Sequence, residues 1–153
     1  MTHNDTKCNN VLIDLETGEG VCVIDLDTVM PGLAAYDFGD AVRFAANTAS
    51  EDETNLRKVS LSMEYFEAFT RGFIGKSARF FTSMEIETMA WGAPIITIEL
   101  ASRFLADHLL GDKYFRIHRP NHNLDRARNQ IHLAKSMEVQ FDNMCVCVEK
   151  YVK

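Results

Sequence analysis

The spacing of apolar residues changes once along the chain. Two short, apolar and partly β-branched runs, at 10–14 and 21–25, stand on either side of the turn-forming stretch 16–20. Such a pair of runs around a glycine-containing turn predicts a β-hairpin. After Pro31 and Gly32 the apolar residues recur every three or four positions, which is the period of an α-helix. The pattern therefore predicts a mainly α fold with a short N-terminal β-hairpin.

The first two predicted helices follow the hairpin directly. One covers 38–46, with Asp37 as its N-cap and Asp40 three residues later, where a carboxylate favours the positive end of the helix dipole. The next helix should end near Gly72 or Gly75. Its apolar face consists of Leu56, Val59, Met63, Phe66 and Phe73. Both helices are expected to pack into the core through their apolar sides.

Two longer helices are predicted in the second half of the chain. The third runs from about Ser83 to Leu110, tolerates a glycine and a proline inside it, and stops at Gly111. The fourth begins between 121 and 125 and continues as one helix to the end of the chain, because its apolar residues form a single stripe. The whole of 1–153 is thus expected to be one domain.

Composition supports a globular chain and excludes several classes of protein. Hydrophobic residues make up 46% and charged residues 25% of the 153 residues, close to the average for soluble proteins. The formal net charge of -6 argues against a nucleic-acid partner, since no basic stripe is available to neutralise phosphates. No apolar run reaches the length of a membrane-spanning helix, and the N-terminus lacks a signal-peptide pattern. These features predict a cytoplasmic protein without a membrane or nucleic-acid partner.

The first 25 residues concentrate polar side chains with complementary chemistry. Asp5, Lys7 and Asn10 supply a carboxylate, an ammonium and an amide, and Asp25 ends the second strand of the predicted hairpin. Because a hairpin turns the chain back on itself, Asp25 is expected beside Asn10. Phosphoryl transfer needs a carboxylate to accept the hydroxyl proton, oxygen ligands for Mg²⁺ and a cation near the phosphate. The four residues match these requirements.

The spacing of these residues resembles a known family. The stretch 3–10, His-Asn-Asp-Thr-Lys-Cys-Asn-Asn, is similar to the H-x-D-x-x-x-x-N catalytic loop of the aminoglycoside phosphotransferase and choline kinase group, relatives of the protein kinases. The stretch 23–27 resembles the strand of that group that ends in a metal-binding aspartate. Over 3–44 the chain is most similar to the N-acetylhexosamine 1-kinase branch. The resemblance implies the helical C-terminal lobe of a protein-kinase-like fold, with ATP as phosphoryl donor, Mg²⁺ as cofactor and a small sugar as acceptor.

The resemblance also implies a role for each matching residue. Asp5 would be the general base toward the anomeric hydroxyl of an N-acetylhexosamine, and Lys7 would contact the transferred phosphate. Asn10 and Asp25 would hold Mg²⁺, with Asp27 as an additional ligand. Each role has a plainer alternative, since a lone aspartate such as Asp25 is often a turn former and Lys7 is also explained as a solvated surface lysine.

Three further residues are interpreted in two ways. The resemblance implies sugar contacts from Arg103 and Tyr114. Glu99, Arg103 and Asp107 are spaced four apart, however, so an exposed ladder of salt bridges explains them without a ligand. For Tyr114 the alternative is that its ring packs under the last helix. His3 is interpreted as a structural residue that orients the loop backbone rather than as an acid or base.

Part of the family's machinery has no counterpart in the sequence. No phosphate-covering loop, strand lysine or adenine-binding hinge is matched within 1–153. We therefore expect the C-terminal lobe of a sugar kinase without its nucleotide lobe, which alone binds nucleotide weakly and turns over little. The surface that the missing lobe would cover is expected to be partly apolar, which predicts self-association.

Two alternative functions remain open at this point. The stretch 23–29 also resembles the D-x-D-x-T opening of haloacid-dehalogenase-type phosphatases, in which Asp25 would be the nucleophile and Asp27 the acid and base. That fold requires alternating strands and helices downstream. The other alternative is a non-catalytic helical module that binds partners and keeps a vestigial site.

Overall fold

A computed structural model describes residues 1–152. Within that part of the chain, a two-stranded antiparallel sheet precedes five α-helices. The strands are β1 (Val11–Ile13) and β2 (Gly20–Val23), and the helices are α1 (Ala34–Ala45), α2 (Met63–Ser77), α3 (Ser83–Leu109), α4 (His122–Val139) and α5 (Phe141–Lys150). The prediction of a mainly α fold with an N-terminal hairpin is confirmed. None of these helices combines the length and apolarity needed to cross a membrane.

The hairpin has a defined register. Val11 lies opposite Val23, and an irregularity after the next pair brings Ile13 opposite Gly20. The carboxylate of Asp14 accepts hydrogen bonds from backbone amides in the turn, which shapes the reversal of the chain. Every residue of both strands is exposed, so the hairpin stands outside the core and its position depends on backbone hydrogen bonds.

The two strands decide against one alternative function. β1 and β2 are the only strands in residues 1–152, and they pair antiparallel. The downstream segments are helices rather than the alternating strands and helices that a haloacid-dehalogenase-type phosphatase requires. That alternative is therefore wrong for the described part of the chain.

The core is organised around a close crossing of α1 and α3. Gly39 of α1 meets the backbone of Gly92 in α3, and a Cβ at Gly92 would overlap the carbonyl group of Ala35. Glycine is required at this crossing because any side chain would separate the two helices. Phe38, next to the crossing, is fully buried and packs edge-on against Phe66 of α2. The crossing therefore positions the helices that surround the site.

The start of α1 differs from the prediction. The helix begins at Ala34 with Leu33 as its N-cap, so Asp37 lies inside the helix and does not cap it. The reason is tertiary: the carboxylate of Asp37 accepts hydrogen bonds from backbone amides near the N-terminus instead of from its own helix. The earlier start also moves Asp40 beyond the first turn, so the prediction that it complements the helix dipole is wrong as well.

The predicted start and end of α2 also need correction. Ser62 caps α2 by accepting a hydrogen bond from the backbone amide of Tyr65, so Leu56 and Val59 lie before the helix in a short 3-10 turn and an extended segment. The glycines near the expected end are tolerated, and the helix continues to Ser77. The apolar periodicity alone did not reveal the cap at Ser62.

The predicted last helix is two helices. The helix is interrupted at Gln140, between α4 and α5. The side-chain amide of Gln140 donates to the backbone carbonyls of Leu61 and Ser136. The apolar stripe continues through the break, which is why the sequence pattern indicated one helix. The prediction for α3 is confirmed to within one residue, and Thr82 and Glu85 form a capping box at its start.

Candidate active site

The N-terminal loop is held on two sides. Thr2 exchanges backbone hydrogen bonds of 3.0 and 3.2 Å with Met30. On the other side, the backbone amides of His3 and Asn4 each donate to one carboxylate oxygen of Asp37, both at 2.7 Å. Asn4 adopts a left-handed conformation with φ of 64°, which is uncommon for a residue other than glycine. The segment that presents Asp5 is therefore fixed by α1 rather than by its own secondary structure.

His3 connects this loop to the end of β2. Its Nε2 atom lies 3.1 Å from the carbonyl oxygen of Ile24, and its own carbonyl accepts a hydrogen bond of 2.7 Å from the hydroxyl of Thr28. Its other ring nitrogen is buried without a hydrogen-bond partner in the described residues. These contacts tie His3 to the segment 24–28, and its orienting role stays a prediction.

Asp5 is the centre of a small polar cluster. One carboxylate oxygen accepts hydrogen bonds from the ammonium of Lys7 at 2.7 Å and from the amide of Asn10 at 3.0 Å. Partial burial acts to raise the pKa of Asp5, but the hydrogen bonds from Lys7 and Asn10 outweigh it and hold this pKa below its usual value. The hydrogen bond to Asp5 raises the pKa of Lys7. Both groups are therefore charged at neutral pH.

The hairpin brings Asn10 and Asp25 together along the backbone. The amide of Ile24 donates to the carbonyl of Asn10 at 2.9 Å, so Asp25 directly follows the residue paired with Asn10. Asp25 is exposed and has a left-handed backbone with φ of 63°. Aspartate and asparagine adopt this conformation more readily than other residues with a side chain, and it turns the chain sharply at the end of β2.

The donor atoms near Asn10 fit Mg²⁺ in part. Asn10 donates from its side-chain nitrogen to Asp5, and no hydrogen bond to its Oδ1 occurs among the described residues. Asp25 directly follows Ile24, the backbone partner of Asn10. In residues 1–152 no group of three or more histidine, cysteine, aspartate or glutamate side chains could hold a metal. Mg²⁺ is commonly held by one or two protein groups together with water and phosphate oxygens, so a pair of ligands is adequate. Asp27 is exposed in the 3-10 turn Leu26–Thr28.

A cleft of about 720 Å³ opens beside Asp5. Its walls come from the N-terminal loop, α1, α3, α4 and the segment 114–116, and they include Lys7, Arg103 and Tyr114. The four residues predicted to act in catalysis or to contact the sugar, Asp5, Lys7, Arg103 and Tyr114, thus share one cleft, and Asp40 also lines it. Asn10, Asp25 and Asp27 do not line it and lie on the hairpin side, where Asn10 is linked to the cleft through its hydrogen bonds to Asp5.

Residues 1–69 match the phosphotransferase enzyme family. The matched segment contains the N-terminal loop, the hairpin, α1 and the beginning of α2. This match supports the aminoglycoside phosphotransferase family for that segment. It ends before α3, so the two predicted sugar contacts, Arg103 and Tyr114, lie outside the phosphotransferase match.

The far end of the cleft corrects two of the plainer alternatives. Glu99 lies 3.8 Å from Arg103, but Asp107 is only 6% exposed and makes no ion pair with Arg103, so the predicted ladder is wrong at its last step. Tyr114 is 74% exposed and is not packed under the last helix. Its hydroxyl lies 3.4 Å from Arg103, whose guanidinium also approaches the ring of Phe115. Polar and aromatic groups therefore face the cleft together.

Asp107 is a residue that the sequence interpretation misplaced. Its carboxylate accepts hydrogen bonds of 2.8 to 3.0 Å from three successive backbone amides, those of Lys113, Tyr114 and Phe115. The side-chain amide of Asn123 donates to it as well, at 2.9 Å. Desolvation acts to raise the pKa of Asp107, but the three backbone hydrogen bonds lower it below its usual value. Asp107 thus holds the segment that presents Tyr114, and the only signal in the sequence was the turn after α3.

Replacing Asp107 with asparagine is expected to loosen the segment 113–115. Asparagine has only one side-chain oxygen, which cannot accept hydrogen bonds from all three backbone amides. Since the folded pKa lies below the unfolded value of 3.8, the ionised carboxylate stabilises the fold above that pH. Its contribution is lost as the pH falls through the lower, folded value. The difference in unfolding free energy between wild type and D107N should therefore be largest near pH 7 and shrink below about pH 4.

The measurements are denaturant unfolding across pH and hydrogen exchange of the amides at 113–115. Asp142→Asn is the matched control, because Asp142 is an exposed aspartate in the first turn of α5. Parallel pH curves for wild type and D107N, with unchanged exchange at 113–115, would contradict the assignment.

Arg43 is a second residue that the sequence interpretation missed. Its guanidinium is 6% exposed and lines the cleft. It pairs with Asp40 at 2.9 Å and with Glu51 at 2.6 Å, and it lies 3.3 Å from the side-chain oxygen of Gln130 in α4. Asp40 is thus an ion-pair partner of Arg43 rather than a dipole partner. A buried guanidinium between two carboxylates links α1 to α4 across the cleft floor, and the spacing of three residues between Asp40 and Arg43 was its only signal.

Proposed function

We propose that this chain carries the catalytic loop and acceptor site of an ATP-dependent phosphotransferase that acts on a small hydroxylated substrate. The observation that carries the proposal is the ionised carboxylate of Asp5 at a cleft that also contains Lys7, Arg103 and Tyr114. The match of residues 1–69 to the phosphotransferase enzyme family supports the same reaction class. The cleft volume lies in the range of small-molecule sites.

In this proposal Asp5 accepts the proton of the attacking hydroxyl. Its hydrogen bond to Asn10 fixes the orientation of the carboxylate, and the ammonium of Lys7 lies 2.7 Å away, close enough to interact with a phosphoryl group that arrives beside Asp5. Movement of Lys7 from the carboxylate to the phosphate would raise the basicity of Asp5 as the phosphoryl group enters, since the neighbouring positive charge lowers its pKa. Phosphoryl transfer depends mainly on such positioning and charge.

Asn10 and Asp25 are the proposed ligands of Mg²⁺, with Asp27 as an additional ligand. When bound, the ion would neutralise charge on the phosphates of ATP. The free Oδ1 of Asn10 and the exposed carboxylate of Asp25 support this assignment. The hairpin stands in solvent on both faces, so this side of the site is open to water. Because water weakens electrostatic stabilisation, we further propose that residues 1–153 bind nucleotide weakly and turn over slowly.

The metal assignment predicts selective binding of Mn²⁺, used as a paramagnetic substitute for Mg²⁺. Mn²⁺ should broaden the side-chain amide resonances of Asn10 in the NMR spectrum at substoichiometric concentration. Asp25→Asn should weaken this effect by at least about tenfold in Mn²⁺ concentration, because it removes a charged ligand. Glu19→Gln is the control, since Glu19 is an exposed acid in the turn of the same hairpin. Equal broadening in wild type and D25N would remove Asp25 from the metal site.

The proposed acceptor is an N-acetylhexosamine, phosphorylated at its anomeric hydroxyl. Support comes from the combination of a guanidinium, a tyrosine hydroxyl and two aromatic rings at the end of the cleft, formed by Arg103, Tyr114 and Phe115. Aromatic rings with a polar group suit a sugar ring, which has both apolar faces and hydroxyls.

The test combines acceptor binding with residual turnover. N-acetylglucosamine should shift the NMR resonances of 114–116, and Arg103→Gln should weaken its binding by about tenfold through loss of a charged hydrogen-bond donor. With ATP and Mg²⁺, N-acetylglucosamine 1-phosphate should form far more slowly than the roughly 1–100 per second of ordinary kinases. Asp5→Asn should reduce this residual rate by about a hundredfold or more.

Three outcomes would contradict parts of this proposal. A turnover number in the ordinary kinase range would overturn the proposal of slow turnover, whereas binding of choline in preference to the sugar would overturn the acceptor. No sugar binding together with no Mn²⁺ binding would favour the non-catalytic helical module.

A further inference from the structure

A second hollow lies at the end of α2, and it shares no residue with the cleft beside Asp5. It has a volume of about 560 Å³, is open to solvent and is lined by the last turns of α2, the 3-10 turn Ala78–Phe80 and Tyr151, which follows α5. The proposed phosphoryl transfer uses none of these groups.

Three cations line this hollow: Arg71, Lys76 and Arg79. No carboxylate is among its lining residues, and none of the three cations has an ion-pair partner within the part of the chain that the structure describes. Glu67, one turn before Arg71, is engaged by Lys150 at 2.6 Å and by the hydroxyl of Tyr151 at 2.8 Å. The charge of Arg71 also acts on Glu67 and contributes to lowering the pKa of that carboxyl, after the hydrogen bonds from Lys150 and Tyr151. In a chain of net charge -6, the hollow still concentrates positive charge that Glu67 compensates only in part.

The helix dipole explains only one of the three cations. Lys76 lies in the last turn of α2, where a positive charge is favourable. Arg71 lies more than a turn earlier, and Arg79 lies after the helix, with its guanidinium stacked 4.7 Å from the ring centre of Phe80. Stacking of this kind orients a guanidinium without neutralising its charge.

The walls of the hollow leave room for a ligand. Gly75 contributes backbone only, and a Cβ at that position would meet no atom within 4 Å. Ile74, Ala78 and Tyr151 provide apolar surface beside the cations. The combination is typical of a site for a small anion that carries an apolar part.

We propose that the hollow formed by Arg71, Lys76 and Arg79 is a second binding site, which takes a small compound with two or three linked phosphate groups. Guanidinium groups bind phosphate oxygens in pairs, and lysine adds a point charge, so three cations match the charge of a diphosphate or triphosphate. A ligand with a single carboxylate carries one negative charge, which is less than the charge of the three cations around the hollow. A nucleotide and a free polyphosphate share this chemistry.

The test uses inorganic tripolyphosphate, pyrophosphate and ADP as probes, without divalent cations, in calorimetric titrations of the full chain. Tripolyphosphate should bind with a stoichiometry of one and shift the amide resonances of 75–79. The triple variant R71Q/K76Q/R79Q should bind it at least about tenfold more weakly, since each charged hydrogen bond contributes substantially. ADP that binds tighter than pyrophosphate would indicate contact of the nucleoside with the apolar wall, and equal affinities would indicate recognition of the phosphates alone.

The matched control is R57Q/K113Q/K135Q, which removes the same charge from exposed positions elsewhere that, like the three cations of the hollow, have no ion-pair partner among the described residues. It should change the affinity less than about twofold at physiological salt, because screening limits the effect of distant charges. Equal weakening in both triple variants would overturn the proposal in favour of non-specific attraction. Binding that is lost in Lys7→Gln but kept in R71Q/K76Q/R79Q would assign the probe to the cleft and would also overturn it.

Discussion

Gly92→Ala is expected to destabilise the protein by about 3 kcal/mol, because an added methyl group has no room at the crossing of α1 and α3. A Cβ at Gly92 would overlap the carbonyl of Ala35, which belongs to the backbone of α1 and cannot rotate away. The two helices would have to separate, and the fully buried Phe38 beside the crossing would lose contacts. The better helix propensity of alanine offsets only about 1 kcal/mol of this cost. Chemical denaturation measures the change directly.

The consequence extends to the cleft. α1 carries Asp37, Asp40 and Arg43, and α3 carries Glu99 and Arg103, so a wider crossing moves the two walls apart. G92A should therefore also weaken the proposed binding of N-acetylglucosamine, even though Gly92 does not line the cleft.

Gly72→Ala provides the control. Gly72 lies inside α2, and a Cβ there would meet no atom within 4 Å. The same chemical change should be neutral or stabilise the protein by up to about 1 kcal/mol, because glycine is a poor helix former. If G92A were as stable as G72A, the close contact of α1 with α3 would be disproved.

Asp37→Ala is expected to cost about 3 kcal/mol and to release the N-terminal loop from α1. The substitution removes two short hydrogen bonds from a carboxylate to the amides of His3 and Asn4, each of which is of the charged type. The left-handed conformation of Asn4 would lose part of the support that compensates for its strain. Hydrogen exchange at 3–5 should accelerate strongly, and the unfolding free energy should fall.

Glu64→Ala serves as the comparison, because Glu64 is an exposed acid in the first turn of α2. It should change stability by less than about 0.5 kcal/mol, as is usual for surface positions. Exchange at 3–5 that is as slow in D37A as in E64A would show that the loop is held by its contacts to Thr28 and Met30 and does not need Asp37.

The local sequence was sufficient for the elements whose signals are local. The turn at 16–20 and the runs beside it predicted the hairpin, and the Thr82 to Glu85 segment marks the start of α3 by a capping box. The spacing from Asp5 to Asn10 places both groups in one short loop, where they form a hydrogen bond. These features depend on contacts within about ten residues or on one hairpin, so they are visible in the order of the residues.

The two aspartates whose roles were predicted wrongly have hydrogen-bond partners outside their own helices. Asp37 was predicted to cap its own helix, but its partners lie 33 and 34 residues earlier in the chain. Asp107 was interpreted as part of an exposed ladder, but its partners are backbone amides in a later turn. A carboxylate accepts hydrogen bonds from any amide that reaches it, and its sequence neighbours do not reveal which amide that is.

The order of residues alone therefore specified the helical class of the chain, its hairpin and the group of polar side chains between Asp5 and Asn10. Only the packed structure decided which carboxylates support that group, where the helices begin and break, and which residues share the cleft. The physical reason is range: helix and turn propensities act between near neighbours, whereas hydrogen bonds such as those of Asp37 and the contact of Gly39 with Gly92 form only after distant segments meet.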